Sequence, residues 1–229
     1  MAPSTTLALG TLPGKLIALP GVYSPQADTR LLAEALSREE LDATTDVLDI
    51  GTGTGALALC AARTGARVVA VDVSWRAVIA AKLNAIRQGQ RLRVLHGDFS
   101  TRVQGRRFDL ILTNPPYVPS ARSRPPSHGA ARAWDAGPDG RAVIDRVCAR
   151  APALLRPGGV LLMVHSAMSC PETTVDRLRT AGLTARITGR TSVPWGPVLR
   201  GRRSWLQGRG LADEGVEHEE LVIIRAEHL

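Results

Sequence analysis

Short apolar runs alternate along this chain with longer stretches in which apolar positions recur at helical spacing. The runs are Asp46–Ile50, Arg67–Asp72, Leu92–His96, Phe108–Thr113, Val160–Val164, Leu183–Thr188 and Leu221–Arg225. Each reads as a short buried strand. Five helical patterns lie between or before them. Asp28 looks like an N-cap, followed by Leu31, Leu32, Ala35 and Leu36. Ala56–Arg63 is a helix of small residues. Ser74 caps a segment whose apolar stripe is Trp75, Val78, Ile79, Leu83 and Ile86. Val143, Ile144, Val147 and Cys148 mark a fourth helix. A fifth runs from Pro171 to near Gly182. Such alternation predicts an α/β fold with a doubly wound, mostly parallel sheet of seven strands. The last two strands have no helix between them, so the final strand is expected to pair antiparallel at that edge. Prolines and turn glycines make residues 1–27 an irregular arm, and residues 28–229 read as one domain. The proline-rich loop 118–138 is long enough to suggest function. The stretch 189–217, rich in Gly, Pro and Arg, reads as irregular.

Composition narrows the class. The 229 residues carry 29 Lys and Arg against 21 Asp and Glu, a formal charge of +8. Lys15 and Lys82 are the only lysines, so arginine supplies almost all the positive charge. That charge admits a polyanionic partner, and it equally fits an arginine-rich coding bias. No apolar run is long enough for a membrane helix and no secretory signal is visible, so a cytoplasmic protein is expected. Cys60, Cys148 and Cys170 are too widely spaced for a zinc site and read as buried, reduced thiols.

The candidate chemistry lies at the strand ends. Asp49-Ile50-Gly51-Thr52-Gly53-Thr54-Gly55 closes the first strand and opens a helix. A dinucleotide fold would space these glycines as G-x-G-x-x-G, and here the third glycine comes one position early. Asp49 would repel a pyrophosphate but can accept from an ammonium group. Asp72 stands where a carboxylate holds a ribose diol. Asp98, after the third strand, can accept from an adenine amine. The implied ligand has an amino acid, a ribose and an adenine, and no phosphate. A plain turn with capping aspartates is the bland alternative.

These residues resemble the class I S-adenosylmethionine-dependent methyltransferases. The resemblance implies that Gly51, Gly53 and Gly55 surround the methionine part of S-adenosylmethionine. It also implies that Asp72 binds the ribose, that Asp98 and Phe99 hold the adenine, and that the seventh strand is reversed.

Asn114-Pro115-Pro116-Tyr117 follows the fourth strand directly. Two prolines fix the backbone and remove donors, leaving acceptors exposed. The Asn114 side-chain oxygen and the Pro115 carbonyl can each take one hydrogen of an NH2 group, aiming its nitrogen. Tyr117 offers a face to a planar amide or base. With the glycine turn, this tetrapeptide resembles methyltransferases of planar NH2 groups, both adenine-N6 DNA enzymes and the HemK/PrmC glutamine-amide family. Val22-Tyr23-Ser24-Pro25-Gln26-Ala27-Asp28-Thr29, Ser127-His128-Gly129, Trp134 to Gly140, Gly158-Gly159 and Glu219 to Ile223 look like the HemK side. In that branch the threonine matching Thr29 contacts the cofactor. The match runs from about residue 20 to the C-terminus.

The HemK/PrmC enzymes of bacteria carry an N-terminal helical domain that is not seen in this sequence. The resemblance is therefore closer to the short single-domain branch. It implies methylation of the glutamine of a Gly-Gly-Gln motif in a peptide-chain release factor, with lysine methylated by some members, and often a small zinc-binding activator subunit. Rival readings are a small-molecule amine or amide methyltransferase, an adenine methyltransferase, and a non-catalytic cofactor- or RNA-binding module.

Weaker candidates complete the reading. His165-Ser166 ends the fifth strand, and His128 lies in the long loop. Asp135 and Asp139 could form an acid–base pair, although helix capping is the simpler role. Trp195 and Trp205 stand among Arg200, Arg202, Arg203 and Arg209, a pattern suited to RNA contact through 189–217.

Overall fold

A computed structural model describes residues 11–229. Seven strands form one sheet: β1 (Asp46–Ile50), β2 (Arg67–Asp72), β3 (Leu92–His96), β4 (Phe108–Thr113), β5 (Leu155–Ser166), β6 (Thr184–Pro194) and β7 (His218–Glu227). Their order is β3-β2-β1-β4-β5-β7-β6. The first five run parallel. β7 is antiparallel to both neighbours, and it is inserted between β5 and β6, leaving β6 on the outside.

Helices α1 (Ala27–Leu36), α2 (Ala56–Ala62), α3 (Trp75–Arg87), α4 (Phe99–Arg102), α5 (Ala142–Leu154) and α6 (Pro171–Thr180) accompany these strands. Two hydrophobic clusters result. One holds Leu48, Ile50, Ile111, Phe108, Leu161 and Ile224, and the other Leu32, Val47, Leu110, Leu112 and Val164. Alternate residues of β1, β4 and β5 fall into opposite clusters, which is why these strands are apolar at nearly every position. The winding reverses between β1 and β4, and crevices at such switch points receive ligands. Thr113 donates its hydroxyl to the Ile50 carbonyl at 3.1 Å, tying the two strand ends at that crevice.

Three expectations are corrected. Asp28 is not the cap of α1. Gln26 holds that position, and Asp28 lies in the first turn, buried. The large apolar stripe of α3 faces outward: Trp75, Ile79, Leu83 and Ile86 are exposed, Ile86 by 77%. The inward face is Ala77, Val78, Ala80, Ala81 and Asn84. A Cβ added at Gly55 would stand 3.2 Å from Ala81, so only small residues fit where the glycine turn meets α3. Finally, 189–217 is largely ordered. β6 continues to Pro194, pairing with β7 past a register shift between Ile187 and Gly189 that breaks the alternation in sequence. Helices α7 (Pro197–Gly201) and α8 (Arg203–Gly208) follow.

Among the described residues nine arginines pair with carboxylates. Arg156 bridges Asp46 and Asp109, Arg190 meets Glu172 and Glu220, and Arg225 meets Glu39 and Glu227. No helix among the described residues is long and apolar enough to cross a membrane.

Candidate active site

A cavity of about 650 Å³ opens at the switch point. Gly51, Thr52 and Gly53 form its floor, Asp72 to Ala77 and His96 one side, and Asn114 to Val118 the other. The arm closes it with Pro20 to Tyr23, and the long loop with His128, Gly129 and Arg132 to Trp134. The arm is held by Asn84 of α3. Its side chain exchanges hydrogen bonds with both polar groups of Ile17 and donates to the Thr54 carbonyl at 2.9 Å.

The cofactor side rests on the glycine turn. Gly51 and Gly53 have φ of +72° and +54°, and an added Cβ at Gly51 would meet nothing within 4 Å. The turn is therefore an open cradle in a conformation that favours glycine. Gly55 does not line the cavity; it serves the packing against Ala81. Asp72 accepts from the Gly53 and Ser74 amides at 3.0 and 2.8 Å, which fixes its carboxylate on the wall. Asp49 lies beneath the turn. Thr52 donates to one of its oxygens at 2.6 Å, the Ala58 amide at the start of α2 also faces the carboxylate, and Asp49 itself does not line the cavity. Burial pushes the Asp49 carboxyl up to about 7. An open cradle and a wall carboxylate fit a ligand with a diol, and the Asp49 carboxyl beneath the cradle adds an acidic group on the side an ammonium would occupy.

The structure does not bring Asp98 or Phe99 to this wall. Asp98 caps α4 through the Ser100 amide and hydroxyl and pairs with Arg146 of α5. The Arg146 guanidinium lies over the Phe99 ring. Val73, Trp75 and His96 stand there instead, the Trp75 and His96 rings stacked 3.9 Å apart.

On the acceptor side, Asp28 organises the tetrapeptide. It accepts from the Thr29 hydroxyl at 3.1 Å, from Tyr23 at 2.8 Å and from Tyr117 at 3.2 Å. Burial and the neighbouring carboxylate drive both phenols well above the ordinary tyrosine range, so they stay protonated donors. Asn114 donates its side-chain N–H to the Thr29 oxygen at 3.3 Å. Among the described residues its side-chain oxygen has no hydrogen-bond partner and stays available as an acceptor. Sequence reasoning named Thr29, Asn114, Pro115 and Tyr117 and missed Asp28 and Tyr23. No local signal marked them, since Tyr117 lies 89 positions from Asp28 in sequence.

The other candidates fall away from the cavity, apart from His128. His165 is fully buried, and burial lowers it to about 4. Asp139 caps the chain before α5 by accepting from the Arg141 amide. Cys60 and Cys148 are buried, but Cys170 is exposed. Trp195 is buried with only 1% exposure, and Trp205 packs partly onto the core. Stacking of Trp195 on RNA is thereby ruled out.

Residues 13–186 match the family profile described as methyltransferase small domain. The chain belongs to this methyltransferase family. A Methanocaldococcus jannaschii protein named for protein N5-glutamine methylation is 35% identical over 186 residues, covering 81% of this chain and 92% of that one. Release factor glutamine methyltransferases of Moorella thermoacetica and Bordetella pertussis are 38% and 39% identical over 63% and 72% of this chain. The chain spans only 54% and 63% of their lengths. Among solved structures, the Mtq2–Trm112 complex of E. cuniculi, responsible for methylation of the eRF1 translation termination factor, is similar at a TM-score of 0.63 and 25% identity, covering 91% of this chain and 99% of that one. A T. Thermophilus 16S rRNA methyltransferase solved with AdoMet and guanosine shares the fold, with a TM-score of 0.61 over 93% of this chain and 46% of its own length, at 24% identity. The methyltransferase thus has the doubly wound sheet of such enzymes, with the reversed seventh strand.

Proposed function

We propose that this methyltransferase uses S-adenosylmethionine to methylate the side-chain amide of a glutamine in a protein, a peptide-chain release factor, in the cytoplasm. The free Asn114 oxygen carries this reading. A carboxylate only accepts, so the Asp28–Thr29 pair takes the Thr29 proton. Thr29 then accepts from Asn114, and the Asn114 oxygen is left toward an incoming donor. With the Pro115 carbonyl it offers two acceptors to the two hydrogens of one NH2 group.

S-adenosylmethionine supplies an electrophilic methyl carbon on a sulfonium sulfur. Asp49, Gly51, Gly53 and Asp72 would hold it, with Thr29 and Asn114 between the two halves of the site. The two acceptors would aim the amide nitrogen, and S-adenosylmethionine, when bound, would supply the methyl group to it. The nitrogen afterwards loses one proton to water. An amide nitrogen is a weak nucleophile, so orientation must supply much of the rate. Tyr117 is held by Asp28 at one end and by Ser169, which donates to its carbonyl at 2.9 Å, at the other. A ring fixed at both ends suits a planar amide.

A small activator subunit is part of this reading. The exposed ridge Trp75, Ile79, Leu83 and Ile86 runs along α3, beside the edge strand β3. An apolar ridge next to an open edge supports a small protein partner with an apolar face. The likeness to a solved two-protein complex supports it further.

The test offers labelled S-adenosylmethionine with release factors, nucleic acid and small metabolites in parallel. Label in the release factor is the expected outcome. Label confined to nucleic acid or to metabolites contradicts the reading.

A further inference from the structure

Beyond the tetrapeptide itself, we propose that Arg202 is a positioning residue for the acceptor, acting through Asp135 and Pro119 on Tyr117 and Trp134. The inference rests on the acceptor side assigned above.

The segment after the tetrapeptide is stitched to the far end of the long loop. The Val118 amide donates to the Trp134 carbonyl at 2.8 Å, Ala136 to Val118 at 3.1 Å, and Ser120 to Gly137 at 2.9 Å. Tyr117 and Trp134, both on the cavity wall, are therefore set by one small pairing of two irregular segments. Such a pairing has few bonds of its own. Arg202, between α7 and α8, spans it from outside. One guanidinium nitrogen donates to the Pro119 carbonyl at 2.8 Å, and the other pairs with Asp135 at 2.5 Å.

Asp135 is only 2% exposed, and a buried carboxylate needs a partner. The guanidinium is a planar fork that can satisfy two acceptors at fixed separation, which an ammonium cannot do in the same way. The base of the fork is itself anchored. Trp195, Leu199 and Leu206 lie in one buried cluster with Tyr117 and Val118. The arginine-rich insert is thus a brace on the acceptor wall. Its key guanidinium is occupied internally and leaves no free fork for a polyanion.

Arg202→Gln, Arg202→Lys, Asp135→Asn and the Gln/Asn double variant test this. Methyl transfer to a release factor, S-adenosylmethionine affinity, and amide hydrogen exchange are measured on each. In Arg202→Gln, kcat/KM for the acceptor should fall about tenfold or more, with cofactor Kd within about twofold. Arg202→Lys should be intermediate. The double variant should lose little more than Arg202→Gln alone, because both changes break one contact. Exchange at the Val118 and Ser120 amides should quicken while β1 stays protected. Wild-type kcat/KM in Arg202→Gln, additive losses, or a matching loss of cofactor binding would overturn the proposal. A wild-type chain that methylates no release factor refutes the substrate reading. The exchange result then decides alone, quickened exchange supporting the brace and unchanged exchange refuting it.

Discussion

Asn114 gives its side-chain N–H to the hydroxyl of Thr29, 85 residues away in sequence, at 3.3 Å. The bond has a direction because of what stands behind it. Thr29 donates to Asp28, so its oxygen can only accept from Asn114. An asparagine whose two ends look alike to X-rays is oriented here by its neighbours. The acceptor end of the site is consequently set by the neighbouring residues Asp28 and Thr29 of α1.

Reversing the polarity of that chain should disable it. Asp28→Asn keeps the volume but introduces donors beside Thr29, allowing Asn114 to turn its N–H toward the cavity. Turnover should drop about tenfold to a hundredfold, with cofactor affinity nearly intact. Steady-state kinetics alongside calorimetry checks this, and unchanged turnover would remove Asp28 from the site.

Asp72 is held on the wall by two amide donors. Asp72→Ala should weaken S-adenosylmethionine binding about tenfold to a hundredfold, roughly 1.4–2.7 kcal/mol. Calorimetric titration reads the change directly. An unaltered Kd would show that the carboxylate only caps the turn.

The pH dependence follows from buried acids. Burial raises both Asp49 and Glu219 to about 7, against about 4 in an unfolded chain. Between those values the folded chain holds more protons than the unfolded one. Their contribution to stability is therefore fully present below about pH 4 and is lost as pH rises through 7. Asp46 has the opposite sign: its hydrogen bond from Arg67 lowers it to about 2, so its contribution is lost on acidification. Denaturant titrations at pH 5 and 8 should show a smaller difference in Asp49→Asn than in wild type. S-adenosylmethionine affinity should rise with pH through 7, as Asp49 ionises beneath the cradle, and Asp49→Asn should flatten that rise.

The α3 ridge should be silent in the isolated chain. Ile79→Asp with Leu83→Asp changes exposed side chains, so stability should move by only about 0.5 kcal/mol per site. Sedimentation with the proposed small activator subunit should show a complex for wild type and none for the variant. A complex that survives the substitutions places the partner elsewhere.

The strands and the two strand-end motifs were legible because their signals are local: apolar runs for β1 to β4, glycines where φ must be positive, prolines where donors must be absent. What escaped depends on distant neighbours. An acid at the start of a helix has the same local signature whether it caps, as expected of Asp28, or binds two tyrosines, as it does. Asp98 looked like a ligand residue because its partner Arg146 lies 48 positions on. The stripe on α3 marks an apolar face but not whether the chain itself covers it. Trp195 among arginines gave no sign of its burial, since the strand extension beneath it is broken by a register shift at Thr188.

The most direct measurement compares wild type with Asn114→Ala on a release factor, using mass spectrometry to locate the methyl group. Wild type should place one methyl on the glutamine of the Gly-Gly-Gln motif. Asn114→Ala should bind S-adenosylmethionine normally yet lose about a hundredfold in rate. A variant that methylates that glutamine at the wild-type rate, or a wild-type methyl found on another atom, would contradict the account.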